Sequence, residues 1–489
     1  MTDRPLVVRG GPGGTAARLE DLDQAGELLF AAAGTLSGVA VRAARIAADP
    51  GLALTAPLSP GTWLDVQRRL AMAVGPPSGV VAVAARFVEL AAAARGVGVV
   101  YRTVDLAVAA GLRAVDAAVG QAVGALLEVS VVASFLVSPV TAIGGAYEVA
   151  ALAGFVDGPA ALAVLGAHPR LVEHAFGALP GVVRSLTALV PGGSVLLLPV
   201  TGVPVVPLDV PGGARWLGRA LSVGPWMHER SAVTVTARRM VPARAPRGCA
   251  DLVQGIESLD PVRGVPPGTI RVTTLTRPDG GRTHVVQIPG TQDWSPRAGR
   301  DPFDLTGNIY GVAGEPTAGR ALLAAALREA GVRRGEPVML VGHSQGGIVA
   351  AAAAGDPAFR ESYRVTHVVA VGAPIGTTDV PDDVSVLAVE HDEDLIPRAD
   401  GTPDPDRPNW LTVSRSVTPA GGTPDPSAAH DLPAYTATGA MIDAAADPGA
   451  ASDPGLRAWR AQVGSFLDTP GVTATAVEVT GERVVDGGM

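Results

Sequence analysis

Along the first hundred residues the apolar positions advance in alternating steps of three and four: Leu19, Leu22, Gly26, Leu29, Ala33, Leu36, Ala40, Ala43 and Ala47. That spacing marks one stripe of an α-helix sustained for about four heptads, the pattern of a helix that packs on another helix. Asp49-Pro50 ends it, since a proline ring disfavours helical geometry in the residue before it, and Gly51 and the prolines between 57 and 60 keep the chain irregular. A second helical pattern opens near Trp63, breaks at Gly75-Pro76-Pro77 and resumes through Phe87, Leu90, Ala94, Tyr101, Val104, Val108, Leu112 and Val115. Residues 15–120 therefore read as a helical hairpin whose seam suits a helical partner.

The next stretch is rich in Ala and Val and again predicts helix. Within it, residues 129–147 carry no charge and have the length of a membrane span. Pro139, Gly144-Gly145 and an apolarity drawn from Ala rather than Leu argue against that use. Pro191, Pro199, Pro204, Pro207 and Pro211 then mark a non-helical connection between domains. After residue 231 short Val- and Thr-rich runs (Val233–Met240, Ile270–Leu275, His284–Ile288, Pro337–Gly342, Val365–Val371, Val384–Glu390, Leu411–Val417) alternate with helical runs at 318–330, 347–354 and 456–466. Such alternation predicts parallel crossovers and an open, mostly parallel, doubly wound α/β sheet. The expected organisation is a helical hairpin at 1–120, an Ala/Val-rich helical region with a Pro-rich linker at 121–230, and an α/β domain at 231–489.

Composition removes several functions. With 47% apolar and 17% charged residues the chain has ample core material and is not broadly disordered. A net charge of −9 offers no basic face to a phosphate backbone, which argues against nucleic-acid partners. Every basic residue is Arg, a coding bias of GC-rich genomes. One cysteine, Cys249, allows neither an internal disulfide framework nor a multi-thiolate metal site. The first thirty residues lack the basic and apolar regions of a secretory signal, leaving the cytoplasm or a signal-peptide-independent export route.

The chemistry concentrates around one turn. The apolar strand Pro337-Val338-Met339-Leu340-Val341 runs into Gly342-His343-Ser344-Gln345-Gly346-Gly347 and then an Ala-rich helix. This is the strand–turn–helix setting of a nucleophile elbow, in which Gly342 and Gly346 leave room for a turn too tight for side chains and Ser344 is held in a strained conformation. A serine hydroxyl is a weak nucleophile without a base. Of the eight histidines only His367, His391 and His430 follow Ser344. His367 falls inside a strand and His391 in the loop expected to supply the acid, which leaves His430 as the base by elimination. For the acid, Glu390, Asp392, Glu393 and Asp394 stand together, and spacing does not choose among them. The donors for a developing oxyanion are expected from the backbone of Gln345 and from Thr291, which follows strand His284–Ile288 in Pro289-Gly290-Thr291-Gln292-Asp293-Trp294. No cofactor and no metal is needed for such chemistry.

Residues 284–435 resemble the lipase-like branch of the α/β hydrolases, and are similar to the class 3 (fungal-type) lipases: Gly290-Thr291 with Trp294 at the oxyanion position, the elbow at Ser344, and Asp394-Leu395-Ile396-Pro397-Arg398 at the acid. The resemblance selects Asp394 from the carboxylate cluster, supports His430 with Tyr435 downstream, and implies cleavage of acyl or lipid esters. No clear lid helix can be assigned: Arg297–Gly314 is open to that part and equally to ordered coil near the site. The hairpin resembles the helical substrates of the type VII (ESX) secretion system: Tyr101-Arg102-Thr103-Val104-Asp105 matches their Tyr-x-x-x-Asp/Glu export signal, although Gly61-Thr62-Trp63 reverses the usual Trp-x-Gly turn. Tyr101 and Asp105 would then face secretion machinery; the competing reading is an aromatic packed in the helical seam.

Overall fold

The Val- and Thr-rich runs form strands at Val7–Gly10 (β1), Val233–Val241 (β2), Thr269–Thr276 (β3), Arg282–Ile288 (β4), Pro337–His343 (β5), Arg364–Val371 (β6), Ser385–His391 (β7), Trp410–Arg415 (β8) and Thr473–Arg483 (β9). The computed structural model describes residues 5–11, 14–54, 56–75, 79–103, 209–222, 226–447 and 453–485, with scattered positions between 172 and 180. Residues 129–147, Asp105 and nearly all of the linker from Pro191 lie outside the described residues. The strands pair into a single sheet in the order β1-β8-β7-β6-β5-β4-β3-β9-β2. From β4 to β8 successive strands are neighbours and run parallel. Antiparallel β3, β9 and β2 extend one edge and β1 the other. The mostly parallel α/β core expected from the alternation is therefore present.

Side chains alternate between two apolar layers, as pleating requires. Ile270, Val286, Val338, Leu340 and Val368 pack with Leu322, Leu323, Val349 and Ala350 from helices Ala318–Glu329 and Gln345–Gly355. The opposite set, Val285, Met339, Val341, Val369 and Val389, packs with Leu252, Ile256, Ile442 and Trp459 from helices Cys249–Glu257, Leu432–Ala445 and Pro454–Gln462. With both faces covered, the free positions for chemistry are the carboxyl ends of the parallel strands. There β4, β5 and β7 stop at Ile288, His343 and His391.

Three features differ from the sequence reading. Residues 7–10 are not part of the helical hairpin: Val7 to Gly10 pair with Ser414 to Leu411, and a Cβ on Gly10 would meet Trp410 O at 2.2 Å. Pro211 lies not in irregular chain but in the first turn of helix Val210–Leu221, where its missing N–H costs nothing. Residues 297–314, open in the sequence between lid and coil, bury Phe303 and Asp304 fully and form the helix Leu305–Val312, capped by Asp304.

The helical unit, Thr15–Gly111, is compact in itself. Its helix Thr15–Ala47 buries Leu19, Ala33 and Ala40 of the expected seam, together with Ala84 and Ala91 of helical residues 80–103. Asp23 pairs with Arg102 at 3.0 Å, and a Cβ on Gly26 would lie 3.3 Å from Ala91 O, which fixes the two helices as antiparallel. Residues 18–52 form the one stretch among the described residues that is long and apolar enough to cross a membrane. Tyr101 is 56% exposed among the described residues.

Candidate active site

The turn after β5 is as tight as its glycines suggest. A Cβ on Gly342 would approach Gly346 O to 2.1 Å, and one on Gly346 would approach Ile288 O to 2.4 Å. Between them Ser344 adopts φ 53° and ψ −122°, a region L-residues avoid, at the N-terminus of helix Gln345–Gly355. Its amide donates to Val371 O at 2.9 Å, anchoring the turn to β6. The hydroxyl makes no capping bond to its own helix, which sets aside a purely capping role for this serine.

At the end of β7 three of the four carboxylates are told apart by their partners. Glu390 pairs with Arg398 at 3.5 Å. Glu393 is held by Ser416 Oγ and by the amides of Val417 and Thr418. Asp394 is fully buried; its Oδ2 accepts from His430 Nδ1 at 2.7 Å and from Tyr435 Oη at 2.6 Å, and its Oδ1 from the amide of Ile396 at 2.9 Å. Burial pushes its carboxyl pKa up, but the bonds from His430, Tyr435 and Ile396 outweigh burial and hold it below the usual carboxylate range. Gly372, at φ +58°, allows this approach, because a Cβ there would sit 3.0 Å from both Asp394 Oδ2 and the Tyr435 ring.

The histidines sort the same way. Both nitrogens of His391 are engaged, Nδ1 with Ala429 O at 2.6 Å and Nε2 with Thr438 Oγ1 at 2.7 Å, and its ring stacks on Tyr435 at 3.8 Å. Burial pushes its pKa down to about 4. His367 is likewise lowered to about 4 by burial and packs on Phe466. His430 ends the short helix Pro426–His430 rather than lying in open loop; with Nδ1 on Asp394, its Nε2 is left for the cavity. His343, which the sequence reading placed in the elbow without a role, donates from Nε2 to the carbonyl of His430 at 2.9 Å, and the two rings lie 4.5 Å apart. Burial, then the neighbouring His430, lower its pKa to about 3, so it is neutral and keeps the N–H for that bond.

Ser344, His343, His430, Gly290 and Thr291 line one cavity of ≈ 730 Å³. Ser344 and His430 both line this space, and among the described residues no direct hydrogen bond joins their side chains, a common looseness in unliganded sites. Gly290 brings its loop against the elbow, where a Cβ would lie 3.2 Å from Ser344 Cβ. The Asn308 amide holds the Thr291 hydroxyl, donating from Nδ2 to Thr291 Oγ1 at 2.9 Å and offering Oδ1 as an acceptor to the same Oγ1 at 3.3 Å. Gln345, at the helix start, anchors its side chain to Asp304 O at 2.9 Å. The same Asp304 receives both Nη atoms of the buried Arg483, whose Nη2 also donates to Glu229 at 2.9 Å. Burial pushes the Glu229 carboxyl up to about 7 despite that guanidinium. The end of β9 thereby braces the segment that carries Asn308.

Comparison with known proteins agrees with this architecture. Residues 323–437, about a quarter of the chain and including Ser344, Asp394 and His430, match the family model of the PGAP1-like alpha/beta domain. No curated protein and no solved structure gives a significant match. The fold is that of an α/β-hydrolase-like domain with a mostly parallel central sheet, preceded by a helical region.

Proposed function

We propose that residues 231–489 form a serine hydrolase that cleaves carboxylic esters through an acyl-enzyme intermediate. The observation that carries this reading is the convergence of the strained Ser344, His430 and Thr291 on one cavity, with His430 Nδ1 held by the buried Asp394. Ser344 Oγ attacks the ester carbon as His430 Nε2 takes its proton. The N–H groups of Gln345 and Thr291, with the Thr291 hydroxyl, receive the charge that develops on the carbonyl oxygen. Collapse expels the alcohol, which leaves with the proton from His430. Water, deprotonated by the same imidazole, then hydrolyses the acyl-serine and releases the acid. Asp394 orients the ring and balances the imidazolium. Exposed Trp294 and Val262, with Leu432 and Pro433, give the cavity an apolar rim suited to an acyl chain, in keeping with the lipase-like resemblance.

A panel of activated esters, thioesters and amides tests the reaction class through relative kcat/KM. Esters should lead, and His430→Ala and Asp394→Asn should each lower kcat by about 10³-fold or more with the fold intact. Full activity of Asp394→Asn beside an inactive Asp392→Asn would show the acid to be misassigned. For the helical unit, the exposed Tyr101 supports the reading as an export or partner-docking module; Tyr101→Ala should abolish recovery of the chain from culture medium if that reading holds.

A further inference from the structure

The helical unit ends in an uncharged tip. From Pro50 to Leu64 no residue carries a charge, a stretch that takes in the helix Pro50–Leu54 and the start of the helix Pro60–Val74. Leu54 is 77% exposed and Leu58 85% exposed, more than any large apolar side chain on the paired helices 15–47 and 80–103. Prolines at 50, 57 and 60 restrict the backbone there. Gln67 Nε2 donates to Ala47 O at 2.9 Å, which ties the helix Pro60–Val74 to the end of the helix Thr15–Ala47. The two leucines are therefore held out into solvent on a braced turn.

The charge around this tip is basic. Asp49 and Asp65 bound it, but Asp49 Oδ1 already accepts from the amides of Gly51 and Leu52, at 2.7 and 3.2 Å, and Asp65 is paired with Arg69 at 2.7 Å. Arg42 and Arg45 lie in the last two turns of the helix Thr15–Ala47, and Arg68 in the third turn of Pro60–Val74. All three are exposed, and among the described residues they make no ion pair. At the opposite end of the unit Glu20, Asp21 and Glu27 outnumber Arg18 and Arg95, and Asp23 is paired with Arg102.

An apolar summit above a basic collar matches the order of chemistry met on entering a bilayer of acidic lipids, where phosphates come first and acyl chains lie beneath. A stable protein interface draws about 20–30 residues from each side, more than this tip presents, whereas a bilayer needs no complementary shape from it. The stretch 18–52, long and apolar enough to cross a membrane, carries Arg42, Arg45 and Asp49 near its end and is paired with residues 80–103, which favours shallow seating of the tip over a span.

We propose that this tip docks on an anionic phospholipid bilayer, with Leu54 and Leu58 among the acyl chains and Arg42, Arg45 and Arg68 at the headgroup phosphates. The docking goes beyond the hydrolase reading and does not depend on it.

Flotation of the full chain with vesicles of phosphatidylglycerol, and separately of phosphatidylcholine, tests it. The wild type should bind the anionic vesicles about 10²-fold more tightly, since each arginine near such a surface contributes about fivefold. Replacing all three, Arg42→Gln, Arg45→Gln and Arg68→Gln, should reduce that preference to about threefold or less. Leu54→Asp combined with Leu58→Asp should weaken binding to phosphatidylglycerol by about tenfold or more. Should circular dichroism show that pair to be misfolded, Leu54→Ser with Leu58→Ser should give a smaller loss in the same direction. Absent or equal binding of the wild type to the two vesicles, or binding that neither leucine pair reduces, overturns the proposal. Loss of a dimer in place of vesicle binding in the leucine variants, read by light scattering, makes a second copy the occupant and overturns it as well.

Discussion

Tyr435→Phe takes a single oxygen from beneath the acid. Tyr435 Oη donates to Asp394 Oδ2 at 2.6 Å and accepts from the His391 amide at 3.3 Å, while the ring, which the substitution keeps, stacks on His391 at 3.8 Å. A hydrogen bond to a charged group contributes about 1.5–3 kcal/mol and a neutral one about 0.5–1.5 kcal/mol. The Asp394 bond is short, buried and charge-assisted, and the His391 bond is long, so the first dominates and the expected loss at pH 7 is about 2–3 kcal/mol. The sign of its pH dependence follows from Asp394, whose folded pKa lies below the ordinary value. Stability from a depressed carboxylate is present above the unfolded pKa, about 3.9, and disappears as pH falls through the folded one. Urea unfolding followed by near-UV circular dichroism should therefore show a constant gap between wild type and Tyr435→Phe from about pH 7 to 5, closing below about pH 4. A gap under about 0.5 kcal/mol at pH 7, or one that does not narrow in acid, would refute the assignment of this bond to the ionised carboxylate.

Two further substitutions probe the frame around the site. Arg483→Met leaves Asp304 and Glu229 buried without their cation and should cost about 3–5 kcal/mol by urea titration, as broken buried pairs do; a loss below about 1 kcal/mol would mean that water compensates them. Asn308→Ala removes the donor that turns the Thr291 hydroxyl and should lower kcat about tenfold with KM unchanged, whereas Thr291→Val, which deletes the hydroxyl itself, should cost up to about 10²-fold. Steady-state kinetics on an activated ester decides the pair, and a large loss in Thr291→Val beside none in Asn308→Ala removes Asn308 from the oxyanion site.

The sequence was most informative where sterics leave one solution. The elbow needs glycine at 342 and 346 because backbone carbonyls stand where any Cβ would go, and such a constraint is written directly in residue identity. Seven strands, β2 to β8, were legible as Val- and Thr-rich runs, most plainly β5, β6 and β7, which are buried on both faces and nearly continuously apolar. Strands β1 and β9 were not: β1 is four residues long, and β9 alternates Thr, Ala, Val and Glu in a pattern too weakly apolar to stand out. The acid was ambiguous because four carboxylates crowd residues 390–394, and only tertiary partners, Arg398 for Glu390 and the 416–418 backbone for Glu393, tell them apart. Helix Leu432–Ala445, which delivers Tyr435 to Asp394, was overlooked because its apolar residues are spread around it. Asn308 carried one signal, its rarity as one of two asparagines in the chain, but rarity does not name a partner.

Intact-protein mass spectrometry after reaction with a fluorophosphonate, followed by mapping of the modified peptide, asks whether Ser344 is an activated nucleophile. A single adduct on Ser344 is expected in the wild type and none in Ser344→Ala. An unmodified wild type, or an adduct that persists in Ser344→Ala, would contradict the hydrolase.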